Sequence, residues 1–320
     1  MLALRALGLG DLLTAVPVLR GMARAFPDGH RVLAAPRALA PLLPVVAPGY
    51  ELLDVPAFVG GEPPALAFAS RLPRGVLAVN LHGRGPESHE LLRAARPGRL
   101  IGFEVDGGPA WDEREHEVVR WCRLLAHHAI PADPGDLDIA LPLGAAPRGP
   151  DGPTLIHPGA ASRARRWPAE RWAAVARGEL ERGRRVLVSG SAGEAPLAAE
   201  VAARAGLPPE ASLAGRTRDL AGLAALVASA GRVACGDTGV AHLATALRVP
   251  SVLLFGPTDP ARWGPPQDRP WHRALWAGMH GDPHAHAPDP GLLQIAPADV
   301  LDALSALPEP AAPRPVPPAR

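Results

Sequence analysis

Short unbroken apolar runs alternate along this chain with longer stretches in which apolar residues recur every three or four positions. The carboxyl half shows this most cleanly. Runs at 154–159 (TLIHPG), 184–190 (RRVLVSG), 232–237 (RVACGD) and 251–257 (SVLLFGP) have the length and glycine punctuation of buried strands, with a weaker candidate at 211–215 (ASLAG). Between them, 168–183, 193–206, 219–230 and 238–249 carry helical periodicity. Strict alternation of strand and helix predicts a parallel, doubly wound α/β sheet. Ligands of such sheets bind beyond the carboxyl ends of the strands. Small and hydroxyl residues gather there: His157-Pro158-Gly159, Ser189-Gly190-Ser191, Gly236-Asp237-Thr238-Gly239 and Gly256-Pro257-Thr258-Asp259. Helix amino termini at that rim would suit a phosphate.

The amino half repeats the alternation less regularly. LALRAL (2–7) predicts a short strand, GLGD (8–11) a tight loop, and 12–26 a helix with Leu12, Val16, Leu19, Ala23 and Phe26 on one face, kinked by Pro17. RVLAAP (31–36), GVLAVNLHG (75–83) and RLIGFEV (99–105) supply further strands. A glycine- and proline-rich seam, LPLGAAPRGPDGP at 141–153, separates the halves. The expected organisation is two Rossmann-like domains, 1–147 and 148–306, facing a cleft, with a disordered proline-rich tail at 307–320.

Composition narrows the function. The 320 residues are 47% hydrophobic and 20% charged, and 33 basic against 32 acidic residues leave a net charge of +1. That balance gives no reason to expect a nucleic-acid partner. Lysine is absent and proline reaches 40, so arginine in place of lysine says little except at a ligand. The two isolated cysteines, Cys122 and Cys235, form no CxxC motif; they fit a reducing, cytoplasmic setting as small apolar fillers. No run approaches the ~18 apolar residues that a membrane helix needs. Arg5, Asp11 and Arg20 interrupt the apolar amino terminus, so no secretory leader is expected there.

GLGD is not a dinucleotide fingerprint, because Leu13 occupies the third small-residue position. Asp11, where strand gives way to helix, is either a helix cap or a general base, and position alone does not choose.

LRALGLGDLLTAVPVLRGM, PGAASRARRWPAERW and CGDTGVAHLATALRVPSVLLFGPTDPARWGP together resemble glycosyltransferase family 9, the ADP-heptose:lipopolysaccharide heptosyltransferases. The resemblance spans nearly the whole chain before the tail. The D-T-G-x-x-H segment followed by G-P-T-D-P is its most specific part. It implies a GT-B fold whose carboxyl domain holds a nucleotide-diphosphate sugar, ADP-linked in the best-known members, and whose amino domain holds a saccharide or glycolipid acceptor. The implied reaction is inverting and metal-independent, with no cofactor beyond the donor. Asp11 matches the family's proposed base. Arg165 matches the residue that neutralises the departing diphosphate, which calls for cationic and N–H donors. Asp237, Thr238, Gly239 and His242 match the loop and helix start that grip phosphate and sugar, and Glu194 falls near an acid that binds the ribose. Ser162 is the hydroxyl left where some heptosyltransferases carry threonines, the preceding residues being Ala160 and Ala161. Gly10, His82 and Arg84 fall on the acceptor side.

Segments 80–92 and 278–293 look like a distinct subgroup. His280, His284 and His286 have poor metal-ligand spacing, so the second segment is expected to contact sugar. Trp167 is expected in the core. An acceptor anchored in a membrane implies work at its inner face, although no strongly basic amphipathic helix supports docking. Competing readings are a GT-B epimerase or hydrolase, and a non-catalytic nucleotide-sugar-binding protein. Retention of Asp11 and Arg165 weighs against the last.

Overall fold

A computed structural model describes residues 1–58, 75–141 and 152–308. The chain divides into two compact units, Met1–Leu137 and Asp138–Arg320. The expected boundary at 147/148 and nearly all of the proline-rich tail lie outside the described residues.

In the first unit, β1 (Leu2–Leu4) leads into α1 (Leu9–Thr14) and α2 (Val16–Ala25), then β2 (Arg31–Ala35). A 3-10 turn at Arg37–Leu42 continues into α3 (Leu43–Val46) and β3 (Tyr50–Asp54). There follow β4 (Leu77–Asn80), α4 (Glu87–Ala94), β5 (Arg99–Ile101) and α5 (Glu117–His127). The strands form a five-stranded sheet in the order β3-β2-β1-β4-β5. Every pairing is parallel, with Leu2 level with Val32 on one side and Ala78 on the other. β1 is buried along its whole length, which is why it reads as an apolar run and not as an alternation.

Two expectations change here. GLGD is not a loop: Gly8 caps α1, and Leu9, Gly10 and Asp11 form its first turn. The helix expected over 12–26 is two helices that break at Ala15. Pro17 lies in the first turn of α2, where its missing N–H leaves no intrahelical bond unmade. The proline thus starts a helix and does not kink one.

The second unit runs β6 (Thr154–His157), a 3-10 turn (Arg163–Arg165), α6 (Ala169–Glu181), β7 (Val186–Val188), α7 (Ala195–Ala205), α8 (Leu220–Ser229) and β8 (Arg232–Gly236). It continues with α9 (Gly239–Ala246), β9 (Ser251–Phe255), α10 (Pro260–Trp263), β10 (His272–Trp276) and α11 (Pro297–Ser305). Its sheet is again five-stranded and parallel, in the order β10-β9-β8-β6-β7. α7 shows the local logic. Alanine, the best helix former, dominates it, Pro196 sits in its first turn, and Gly206 ends it in the left-handed conformation at φ +72°. Trp167 and Trp172 meet edge to face at 4.9 Å in the core of this unit, as expected for Trp167.

The weak candidate at 211–215 makes only a single bridge, Val188 to Ser212. The strands that periodicity missed, β3 and β10, are both edge strands. Each is exposed at several positions, so neither presents a continuous apolar run.

Candidate functional site

In a doubly wound sheet the binding crevice opens where the chain reverses its direction of winding. In the first unit the chain moves from β1 outward to β3, then returns to β4, so the reversal lies between β1 and β4. Asp11 stands at the end of β1. Its Oδ2 accepts the Gly8 N–H at 3.2 Å, and its side chain keeps 26% exposure. It is therefore the third residue of α1, bonded back to the cap, and not the cap itself. Gly10 precedes it in the same turn and is partly exposed.

Beneath Asp11 lies Arg5, fully buried. Its Nε donates to the Asp11 carbonyl at 2.9 Å, and its Nη1 donates to the Leu81 carbonyl. Its Nη2 reaches Thr14 Oγ1 at 3.0 Å, Glu117 Oε1 at 2.9 Å and Asp11 Oδ1 at 3.4 Å. Glu117 opens α5 and is itself buried, accepting also from Trp121 Nε1 at 2.8 Å and from Arg120. Burial opposes its charge, but the guanidiniums of Arg5 and Arg120, with the hydrogen bonds from Arg5 and Trp121, hold its carboxyl below the usual range. The Trp121 ring lies 4.9 Å from the Arg5 guanidinium.

The end of β4 supplies the other lip. Asn80 shapes its turn, donating to Gly83 O and Ser88 Oγ at 2.9 Å and accepting the His82 N–H at 3.0 Å. His82 stacks on Phe58 with centroids 4.0 Å apart. Burial, then the charge of Arg5, draws its imidazole down to about 4 against an opposing hydrogen bond that the ring donates to the Phe58 backbone, so it is neutral at pH 7. Arg84, two residues on, is exposed. Asp11 and the His82 turn thus share one switch point, tied together through Arg5.

In the second unit the reversal lies between β6 and β8. Ser162 caps the Arg163–Arg165 turn, its Oγ accepting the Ala164 N–H at 3.2 Å. Arg165 crosses to the end of β8, with Nη1 at 3.0 Å from the Asp237 carbonyl and 3.5 Å from its carboxylate. The Arg165 Nε is buried without a hydrogen-bond partner, a donor that an acceptor could satisfy. Thr238 caps α9 through Oγ1, which takes the Val240 N–H at 3.0 Å, and Gly239 opens the helix. His242 lies one turn further, edge-on to Trp263 at 5.9 Å. Ser162, Arg165, Asp237, Thr238 and Gly239 are therefore gathered at one switch point.

Glu194 lies to the β7 side. Its Oε2 accepts the Ser191 N–H and O–H, each at 2.8 Å. A Cβ on Gly159 would fall 2.0 Å from Glu194 Oε1, so the glycine makes room for this carboxylate. His157 is buried at the end of β6 with Nδ1 3.1 Å from Ser189 Oγ; burial lowers its pKa and the charge of Glu194 opposes this. Burial resists charge on Glu194 too, but the Ser191 donors, His157 and Arg166 hold it below the ordinary range.

The 278–293 loop bonds to the Ser162–Arg165 turn from both directions: Ala164 N–H donates to Ala285 O at 3.1 Å, and Asp289 N–H donates to Ala164 O at 3.0 Å. His280 rests edge-on against Trp276. Among the described residues no group of three or more His, Cys, Asp or Glu could hold a metal ion. The D-x-D triplet Asp136-Leu137-Asp138 is engaged by arginines, Asp136 with Arg20 and Arg24, and Asp138 with Arg248 and Arg269. Both cysteines are free and buried, and burial pushes the Cys122 thiol up to about 12. Among the described residues no helix is long and apolar enough to cross a membrane. Pattern reading missed Arg5 and Glu117 as site residues, and it set His157 on the rim without its pairing to Ser189. The one signal for Arg5 was a charge directly after an apolar strand; the partners of Glu117 and His157 lie too far away in sequence to be read.

A model of glycosyltransferase family 9 (heptosyltransferase) matches residues 110–281. Lipopolysaccharide heptosyltransferase 1 of Pseudomonas aeruginosa is 37% identical over 163 residues, which cover 48% of this chain and 43% of that protein. The match therefore spans less than half the length of this curated relative. Among solved structures, a family 9 glycosyl transferase from Veillonella parvula superposes with a TM-score of 0.76 at 18% identity, covering 95% of each chain. The E. coli ADP-heptose lps heptosyltransferase II gives 0.73 at 21% identity, covering 95% of this chain and 97% of that one.

Proposed function

This chain belongs to glycosyltransferase family 9, and from that premise we propose that it moves a heptose or related sugar from an ADP-linked donor to a saccharide or glycolipid acceptor. The observation that carries the reading is the Arg165–Asp237 bridge over the second unit's switch point, beside the Thr238-capped start of α9. A guanidinium with an unsatisfied N–H and a helix amino terminus together suit a diphosphate. The curated relative is a lipopolysaccharide heptosyltransferase and one structural relative is named for ADP-heptose, which supports a lipopolysaccharide-type acceptor and that donor.

In this mechanism the acceptor oxygen attacks the anomeric carbon from the face opposite the diphosphate, and the configuration inverts. Asp11 takes the hydroxyl proton as the carbon–oxygen bond to the β-phosphate breaks. The electron pair leaves with ADP, whose growing charge meets Arg165 and the α9 N–H groups. Glu194 receives the ribose hydroxyls, and Ser162 and His242 contact phosphate and sugar. Gly10, His82 and Arg84 line the acceptor side, His82 as a neutral hydrogen-bonding ring. No protein-bound metal takes part. A membrane-anchored acceptor places the reaction at the cytoplasmic face.

Calorimetric titration with ADP, GDP and UDP, each without added metal, tests the donor half. ADP is expected to bind at least tenfold more tightly than either competitor. Equal or reversed preference discards the ADP-heptose assignment, and no binding to any of the three removes the transferase reading.

A further inference from the structure

The first unit hides an ion cluster directly under Asp11. Arg5 is 0% exposed and Glu117 4%, and they face each other at 2.9 Å. Taking both charges out of water costs more than a typical pairing returns, so such a pair is weak as a stabilising device. What the cluster does have is reach. Arg5 donates to the end of β4 at Leu81, to both the backbone and the carboxylate of Asp11, and to Thr14 in the next turn of α1. Thr14 Oγ1 donates in turn to the Asp11 carbonyl at 3.0 Å. Glu117 is clamped by Trp121 and Arg120, and the guanidinium of Arg120 lies over the Trp111 ring at 4.1 Å. The fork of Arg5 is therefore held from α5 and fixes α1 against β4.

We propose that Arg5 and Glu117 are positioning residues for Asp11: Glu117 fixes the Arg5 guanidinium, and Arg5 sets the place and rotamer of the Asp11 carboxylate. This rests on the reading of Asp11 as the base. One Asp11 oxygen is bonded to Gly8 N–H and the other lies at the edge of Arg5, so the carboxylate is held between two donors while a quarter of it stays open. An arginine suits this task where lysine does not. Only a planar fork can address Leu81, Thr14, Asp11 and Glu117 at once.

The test compares three variants: Arg5→Lys, the double change Arg5→Met with Glu117→Gln, and Asp11→Asn as reference. Single neutralisation of either partner strands the other charge and can unfold the unit; the double change removes that pair together and leaves Arg120 on the Asp112 and Glu115 carbonyls. Transfer is followed from ADP-heptose to heptose-free lipopolysaccharide core, with ADP affinity by calorimetry. A misplacement of about 1 Å costs on the order of 10²-fold in rate. The double variant, where folded, is expected to bind ADP unchanged, keep KM within about threefold and lose about 10²-fold in kcat. Arg5→Lys is expected to show the same split, so it decides if the double variant does not fold. Crystal structures of the same variants are expected to show Asp11 in a different rotamer.

Wild-type kcat in Arg5→Lys or in the double variant overturns the proposal. So does an Asp11 carboxylate that has not moved in the crystals, and this second reading holds even if the chosen acceptor supports no transfer. Wild-type kcat in Asp11→Asn overturns the base assignment instead, and so separates the two failures.

Discussion

At the first unit's switch point the arginine is underneath: Arg5 is sealed from solvent, paired with Glu117, and only the Asp11 carboxylate above it is partly open. At the second unit's switch point the arginine is on top. Arg165 keeps a quarter of its side chain exposed and one N–H unsatisfied, and the residues around it are small or hydroxyl-bearing. Both sheets are five-stranded and parallel, and both reverse beside their first strand. The same backbone opening is thus made to present an acid in one unit and a cation with N–H donors in the other. Proton abstraction needs a fixed carboxylate whose counter-ion does not compete for the substrate, whereas a departing diphosphate needs positive charge within reach. Under the proposed mechanism, burying the cation in one case and leaving it at the surface in the other would serve those two needs.

The contrast can be broken by removing each unit's presented group. Asp11→Asn is expected to lower kcat by about 10³-fold, the middle of the range for general acid–base catalysis, with ADP affinity intact. A parallel loss of ADP affinity would place Asp11 on the donor side and erase the division of labour. Arg165→Ala has the complementary expectation: ADP binding and kcat/KM both fall, the latter by about 10²-fold, as for loss of one transition-state donor. ADP titration that matches wild type would remove Arg165 from the diphosphate.

Acidification tests the two units together. His82 in the first unit and His272 in the second are drawn down to about 4 and about 3, in both cases chiefly by burial and then by neighbouring arginines. Between the unfolded value near 6.5 and those folded values, only the unfolded chain takes up the proton, so stability falls as the pH drops through that window. At about 1.4 kcal/mol per pH unit, discounted for the partial exposure of His82, the loss is ~2 kcal/mol from His82 and somewhat more from His272. Urea midpoints at pH 7.5 and 4.5 measure it, with hydrogen exchange to separate the units. A midpoint that does not change shows that these histidines are protonated in the fold.

The smallest effect sharpens the second unit alone. Gly159→Ala sets a methyl 2.0 Å from Glu194 Oε1, so the carboxylate must turn away from its place beside His157. ADP affinity is expected to fall by about 10-fold, near 1.4 kcal/mol, with little change in melting temperature. Unchanged affinity would detach Glu194 from the nucleotide.

The sequence by itself determined the class of fold and most of the second unit's rim. Parallel strands buried on both faces must be continuously apolar, and their helices must be amphipathic, so β6 to β9 and the helices between them were readable in order. The rim residues Asp237, Thr238 and Gly239 lie directly after β8, where local spacing fixes position, whereas Ser162 and Arg165 were reached through the family resemblance. Tertiary structure decided the rest. Strands β3 and β10 carry no continuous apolar signal because two of the five residues of each are exposed. Whether Asp11 caps α1 or lies within it turned on where the helix begins, three residues earlier at Gly8. The floor under Asp11 joins Arg5 to Glu117 across 112 residues, and in the second unit His157 meets Ser189 across 32, pairings that no local pattern encodes. Burial alone gives those charges their influence, and burial exists only once the sheets have closed over them.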